Sequence, residues 1–261
     1  MCLILLAYKQ HPEYPLILAA NRDEFYRRPT QPLQPWPDAP HVLAGRDLQA
    51  GGTWLGVSAD GRLATVTNFR NPTQRTPGKR SRGELTARFL REESSAETYL
   101  DQLRPIADDY QGFNLLLGDA SGLWYFSNRD AAGPKPLPAG IYGLSNHLLD
   151  TPWPKVERGK QALRQALIAP SLDALLSLLE DRWQPPPEQL PDTGVGLQRE
   201  QQLAPVFIAG TEYGTRCSTA LLRHSSGHWS MAERTHATNL TRRYQWPPAT
   251  VRQQHVQSTT S

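Results

Sequence analysis

Cysteine is scarce: the 261-residue chain holds two, Cys2 and Cys217, and neither belongs to a CxxC pair. Two thiols cannot supply a disulfide framework for a chain this long, which points to a reducing compartment. The seven histidines form no HExxH helix and no Cys/His cluster, so a metal centre is not expected. A phosphate loop and a dinucleotide fingerprint are also missing, and no cofactor is expected. No apolar run approaches bilayer length. The apolar start Leu3-Ile4-Leu5-Leu6 lacks a preceding basic region and is too short for a signal peptide. These absences predict a soluble cytoplasmic protein without membrane insertion. Charge of one sign is scant too, at a net +3 with a pI near 8.9. The basic residues are scattered apart from Gly78-Lys79-Arg80-Ser81-Arg82, which reads as a solvated loop, so a nucleic-acid partner is not expected.

What is present is the composition of a globular protein, 38% hydrophobic and 20% charged. The length suits one large core, and no linker divides it. We expect a single domain over residues 1–246 and a polar, disordered tail over 247–261.

Apolar runs over 2–8 and 16–20 flank a polar, proline-containing segment and predict a hairpin. Neither run alternates, which is the mark of strands covered on both faces. An irregular, proline-rich stretch is expected over 27–50. A second hairpin follows, 54–57 and 63–66 around the Asp60-Gly61 turn. Ser81-Arg82-Gly83-Glu84 has capping-box spacing ahead of Leu85, Phe89 and Leu90, and a second helical stretch covers 96–103. Strands are expected at 113–117, 123–126 and 141–145, then helices over 154–167 and 172–179. After the proline-rich loop 184–191, strands return at 206–209, 219–222 and 229–233. Strands apolar on both faces, alternating with pairs of helices, predict an α+β fold, a four-layer αββα sandwich.

If the first hairpin closes with Tyr8 opposite Pro15, Cys2 falls opposite Asn21, beside the polar cluster Asn21-Arg22-Asp23-Glu24. That placement has a chemical purpose if Met1 is removed, since Cys2 then carries a thiol and a free α-amine. An α-amine titrates near about 7.7–8.0 and a thiol near about 8.5, so the amine can serve as base while the thiol attacks a carbonyl. Asp23 is the candidate to hold the amine, and Arg22 to favour the thiolate. A plainer reading makes Cys2 the start of a buried strand and Asn21 to Glu24 a capped turn.

Met1-Cys2-Leu3-Ile4, Asn21-Arg22-Asp23-Glu24-Phe25, Ala44-Gly45-Arg46-Asp47 and Gly51-Gly52-Thr53-Trp54-Leu55-Gly56 together resemble the NRDE-motif, or Transport and Golgi organization 2, family. The resemblance runs to about Trp246. It implies an N-terminal-nucleophile hydrolase fold, and haem trafficking is proposed for eukaryotic members. The chain also resembles, more distantly, the choloylglycine hydrolase and penicillin V acylase group, which cleaves non-peptide amides with an N-terminal Cys. That likeness implies Cys2 as nucleophile and Asp23 as the group orienting its amine. It further implies Asn68 and Asn146 as oxyanion and amine contacts, and Arg216, in Gly214-Thr215-Arg216-Cys217-Ser218, as a late active-site arginine. The acylases carry an arginine three residues before the Asp, where this chain has Ala20; Arg22 shares a strand face with position 20.

Structural roles compete with these. Asn68 and Asn146 each follow a strand and could cap turns. Arg216 could pair with Glu212, Gly51, Gly52 and Trp54 could shape a tight turn, and Cys217 reads as a buried strand residue. Asn21 and Trp54 stand as candidate substrate contacts. Two functions are compatible with this pattern: an N-terminal-cysteine hydrolase of a small non-peptide amide, or a non-catalytic carrier of a hydrophobic ligand such as haem, for which no axial ligand can be nominated.

Overall fold

The structure, a computed structural model, describes residues 2–72 and 79–247, with Cys2 described through its backbone. The tail from 248 onward, expected to be disordered, and Gly78 of the basic stretch lie outside the described residues.

Strands β1 (Cys2–Tyr8) and β2 (Leu16–Phe25) form the expected hairpin, but Tyr8 pairs with Leu16, so Cys2 lies opposite Arg22 and not Asn21. Proline explains the shift of one residue. Pro15 has no N–H to give Tyr8, whereas its carbonyl accepts from the Lys9 N–H at 2.7 Å, closing the loop one position later. A one-residue shift exchanges faces, so this correction decides which side chains accompany position 2. The polar quartet was also expected to follow the strand, and instead it continues β2, because β11 (Tyr213–Arg223) pairs along it as far as Phe25.

Beyond β11 the first sheet adds β12 (Trp229–Thr235) and β13 (Leu240–Trp246), and on its other side β10 (Gly140–Leu144) pairs with β1. The second sheet runs in chain order through β3 (Thr30–Trp36), β4 (Ala39–Asp47), β5 (Leu55–Ser58), β6 (Leu63–Asn68), β7 (Phe113–Gly118), β8 (Leu123–Ser127) and the short β9 (Lys135–Pro136). All the pairings between these strands are antiparallel.

The sheets pack face to face over a shared core that includes Ile4, Leu6 and Leu18 from one and Leu43, Leu55 and Leu116 from the other. Helices α1 (Arg82–Arg91) and α2 (Ala96–Leu103) cover the outside of the second sheet, and α3 (Pro154–Ala166) and α4 (Leu172–Leu178) the outside of the first. This is the expected four-layer αββα sandwich, and it accounts for the unbroken apolar runs: even positions of β1 enter the inter-sheet core, while Leu3, Leu5 and Ala7 face the helices.

Three local expectations fail. The stretch 27–50 is not irregular but holds β3 and β4; its prolines fit because β3 is an edge strand whose register shifts twice, leaving positions where no N–H is needed. Residues 206–209 form no strand: Phe207 N–H instead donates to Asp181 O, and Ile208 exchanges bonds with Thr215 alone. Ser81 precedes α1 without a side-chain cap, since Glu84 turns back to pair with Arg80. Helix α5 (Leu197–Leu203), η-turn residues 104–109 and β13 were not anticipated; each is too short or too polar to carry a clear period.

Candidate active site

The ends of β1, β2, β6, β10 and β11 meet at one edge of the sandwich. In β2 the strand alternation separates the quartet. Arg22 points between the sheets with Ala20, as the sequence implied, and Asn21 and Asp23 point to the helix layer.

Arg22 is 5% exposed and stacks over the Trp54 ring, 4.2 Å from its centroid. Its Nη1 donates to Thr30 Oγ1 at 3.0 Å, and its Nη2 lies 3.8 Å from Asp47 Oδ2. Asp47 is anchored by Arg28, whose Nε donates to Oδ2 at 2.7 Å, and by the N–H groups of Gln49 and Ala50 on Oδ1. Three separated motifs thus converge: Arg22 from the first, Gly45 and Asp47 from the second, Trp54 from the third. Gly45 has to be glycine because a Cβ there would collide with the Trp54 ring. Trp54 packs against the core and supports Arg22.

Asp23 is 2% exposed. Thr215 Oγ1 donates to its Oδ1 at 2.7 Å, Tyr213 Oη donates to its backbone carbonyl at 3.2 Å, and Thr215 is itself fixed by the Ile208 N–H at 2.9 Å. Burial pushes the Asp23 carboxyl above its ordinary range, while the charges of Lys155 and Arg70 and the Thr215 hydrogen bond oppose the rise. Asn21, nominated as a substrate contact, is 1% exposed and bonded wholly within the fold. Its Nδ2 donates to Leu179 O and Val206 O, both at 2.9 Å, and its Oδ1 accepts from Ser218 Oγ at 2.6 Å.

Asn146 continues from β10. Ile4 pairs with Leu144, and extending that antiparallel register places Asn146 beside Cys2, on the side opposite Arg22. The Asn146 side chain is fully buried; its Nδ2 donates to Asn68 O at 2.9 Å, and its Oδ1 has no hydrogen-bond partner among the described residues. Asn146 O accepts from Arg70 N–H at 2.7 Å, and Thr67 Oγ1 donates to Ser145 O at 2.7 Å, so the segment after β10 is stitched to the end of β6 in the other sheet. The bond to Asn68 takes one of the two N–H donors of the Asn146 amide, and its Oδ1 is an open acceptor among the described residues. Asn68 is half-buried on the wall of a cleft, and its side-chain amide makes no hydrogen bond among the described residues.

Arg216 is the extra residue of a β-bulge, since Thr215 pairs with Asp23 but Cys217 with Arg22. Its Nη1 donates to the carbonyls of Phe25, Tyr26 and Arg28 at 2.7, 2.7 and 2.8 Å, fixing the turn after β2; it bonds carbonyls and not Glu212. Cys217 is buried, as expected, and accompanies Glu233 behind Arg22. Because Cys2 and Cys217 both pair with Arg22 from opposite sides, two strand spacings separate their backbones, roughly 9–10 Å, too far for a disulfide.

The cleft beside Asn68 has a volume of about 640 Å³ and is lined by Phe25, Phe69, Leu203 and Tyr213 as well as arginines from five distant parts of the chain. Arg82 is one of these; it opens α1 and lines the cleft, although the sequence placed it in a solvated loop. The sequence held no signal for this wall, nor for Thr215 as the partner of Asp23. Among the described residues, no group of His, Cys, Asp and Glu side chains could hold a metal ion, and no helix is long and apolar enough to cross a membrane.

Two antiparallel sheets packed between helical layers, with the chain's second residue at the end of a central strand, make this an N-terminal-nucleophile hydrolase fold. A mutant of the conjugated bile acid hydrolase of Clostridium perfringens shares it, with a TM-score of 0.52 and 10% sequence identity over 94% of this chain and 92% of that one. The chain belongs to the Transport and Golgi organisation 2 family, whose model matches residues 1–238. The Transport and Golgi organization protein 2 homolog of Bos taurus is 38% identical, covering 90% of this chain and 93% of that protein. The Mus musculus homolog is 37% identical with the same coverage.

Proposed function

We propose that the protein is an amide hydrolase whose nucleophile is the Cys2 thiol and whose base is the Cys2 α-amine, released by removal of Met1. The observation that carries this reading is the buried Oδ1 of Asn146, without a partner among the described residues, at the register position of Cys2. A buried acceptor without a donor is costly, about 1–3 kcal/mol, and a protonated or neutral amine at position 2 is a donor. Arg22, held between Thr30, Asp47 and Trp54, supplies positive charge on the other side and favours the thiolate. Asp23 lies next along β2, a carboxyl that can orient the amine.

In the reaction the sulfur attacks the amide carbonyl carbon as the thiol proton passes to the α-amine. Negative charge develops on the carbonyl oxygen, where the free side-chain amide of Asn68 can donate. Collapse breaks the C–N bond, and the ammonium returns the proton to the departing nitrogen. Water, deprotonated by the amine, then hydrolyses the thioester and restores the thiol.

The carrier reading draws less support. Among the described residues the cleft wall contains tyrosine but no histidine, cysteine or methionine to ligate haem iron, and His147 nearby is packed against Phe69 and Trp153 with Nδ1 on Thr151. Amine release from N-dodecanoylglycine and N-dodecanoylethanolamine tests the hydrolase reading, alongside intact mass. Wild-type protein lacking Met1 should release amine and Cys2→Ala should not; equal release by both, or full activity with Met1 retained, overturns it. Saturable haem uptake by Cys2→Ala without any amide turnover by wild type would favour the carrier.

A further inference from the structure

We infer that the cleft selects a substrate carrying a carboxylate on its small, polar end, so that the amide cleaved is of the N-acyl amino acid type; this rests on the hydrolase reading for the reaction but stands or falls by binding. Among the described residues, five arginines line the cleft, Arg28, Arg70, Arg82, Arg129 and Arg199, against one acid, Glu24. Two of them are held from behind. Arg28 donates to Asp47 at 2.7 Å, and Arg70 pairs at 2.7 Å with Glu200, which is 3% exposed and fixed in turn by Thr193. Asp47 is shared with Arg22, and Asp108 is the remaining carboxylate near this wall, beside Arg129, so among the described residues guanidiniums outnumber carboxylates around the cleft.

The surplus is localised. Arg199 is exposed, lies 5.9 Å from the Tyr213 ring centre and meets no carboxylate among the described residues. Arg129 reaches a carboxylate only at 3.9 Å, on Asp108, which is 91% exposed. Its Nε is buried and has no hydrogen-bond partner among the described residues, although the head lies against Gly112 on the cleft wall. A buried guanidinium donor without an acceptor is an unfilled half of a bidentate pair, and a planar carboxylate matches that fork. A polyphosphate would ask for more positive charge than Arg129 and Arg199 together provide. Phe25, Phe69 and Tyr213 on the same cleft supply an apolar wall, which fits an amphiphile with one charged end.

The test is calorimetric binding to full-length Cys2→Ala protein, which cannot turn the probes over. Three probes share one acyl chain: N-dodecanoylglycine, N-dodecanoylethanolamine and its O-phosphate. The carboxylate probe should bind at least about tenfold more tightly than the neutral one at low salt, with the advantage shrinking as salt screens the charges. Arg199→Gln and Arg129→Gln should each remove most of that advantage while leaving affinity for the neutral probe within about twofold. Arg199 is exposed, so its variant will fold even if Arg129→Gln does not. Equal affinity for the carboxylate and neutral probes, an advantage indifferent to both substitutions, or tighter binding of the phosphate probe overturns the inference. Selective binding without turnover by wild type would instead remove the hydrolase reading and leave this one intact.

Discussion

Asn146 Nδ2 donates to the backbone carbonyl of Asn68 at 2.9 Å, joining the segment after β10 in one sheet to the end of β6 in the other. The two asparagines therefore have different work, and substitution separates them. Asn146→Ala should lower stability by about 1–3 kcal/mol, because a buried carbonyl loses its donor, and should reduce turnover as the position 2 amine loses an acceptor. Asn68→Ala removes no side-chain hydrogen bond among the described residues, so stability should stay within about 0.5 kcal/mol while kcat falls roughly 100 to 1000-fold with KM little changed. Wild-type kcat in Asn68→Ala would remove it from the oxyanion site. Urea unfolding and amide turnover on the same preparations supply both readouts.

The two thiols differ in surroundings. Cys217 is 5% exposed and sits beside Glu233, an acid next to which a thiolate is disfavoured. Cys2 in protein lacking Met1 has Arg22 paired opposite it in the hairpin. Iodoacetamide near neutral pH should alkylate Cys2 at least about tenfold faster, since the thiolate reacts. Site-resolved mass spectrometry measures the ratio, and equal rates count against an activated thiol.

Gly45→Ala tests the coupling of the separated motifs. Its Cβ would enter the space of the Trp54 ring, so either the ring or β4 has to move, at about 1–3 kcal/mol. Displacing Trp54 also takes the stacking surface from Arg22, so turnover should fall further than Asn21→Ala, whose contacts lie in the helix layer, lowers it at equal folded fraction. Unchanged stability would mean that the ring is not held where it lies.

Glu233 on β12 accepts the Leu33 N–H at 2.7 Å and so links the two sheets; burial pushes its carboxyl above the ordinary range, opposed by Leu33, Cys217 and Arg22. The folded state then holds the Glu233 proton more tightly than the unfolded chain does. The resulting stability is fully present below the ordinary carboxylate range and is lost as pH rises through the folded value, levelling off above it. Glu233→Gln keeps the acceptor and removes the charge. Its Tm advantage over wild type should be smallest near pH 4 and widen towards pH 8; an advantage that narrows with rising pH would reverse the assignment.

The sequence by itself determined the layered fold and singled out the residues of the candidate site around Cys2. Runs apolar on both faces, as in Leu3 to Ala7 and Leu16 to Ala20, can be buried only between two layers, and that local property is independent of partners. The family motifs were legible for the same reason, as contiguous residues. Register was not: whether Tyr8 meets Pro15 or Leu16 depends on which backbone groups the loop satisfies, and that one residue moved Cys2 from Asn21 to Arg22. The partners of Asp23 and Asn146 lie on β11 and β6, far along the chain, and the direction in which the Asn146 amide points follows from the Asn68 carbonyl across the sandwich. The cationic cleft is the extreme case. Its arginines fall on five separate segments of the chain, each without a signal of its own, and only the packing of the two sheets and α5 turns scattered charge into one wall facing one cavity.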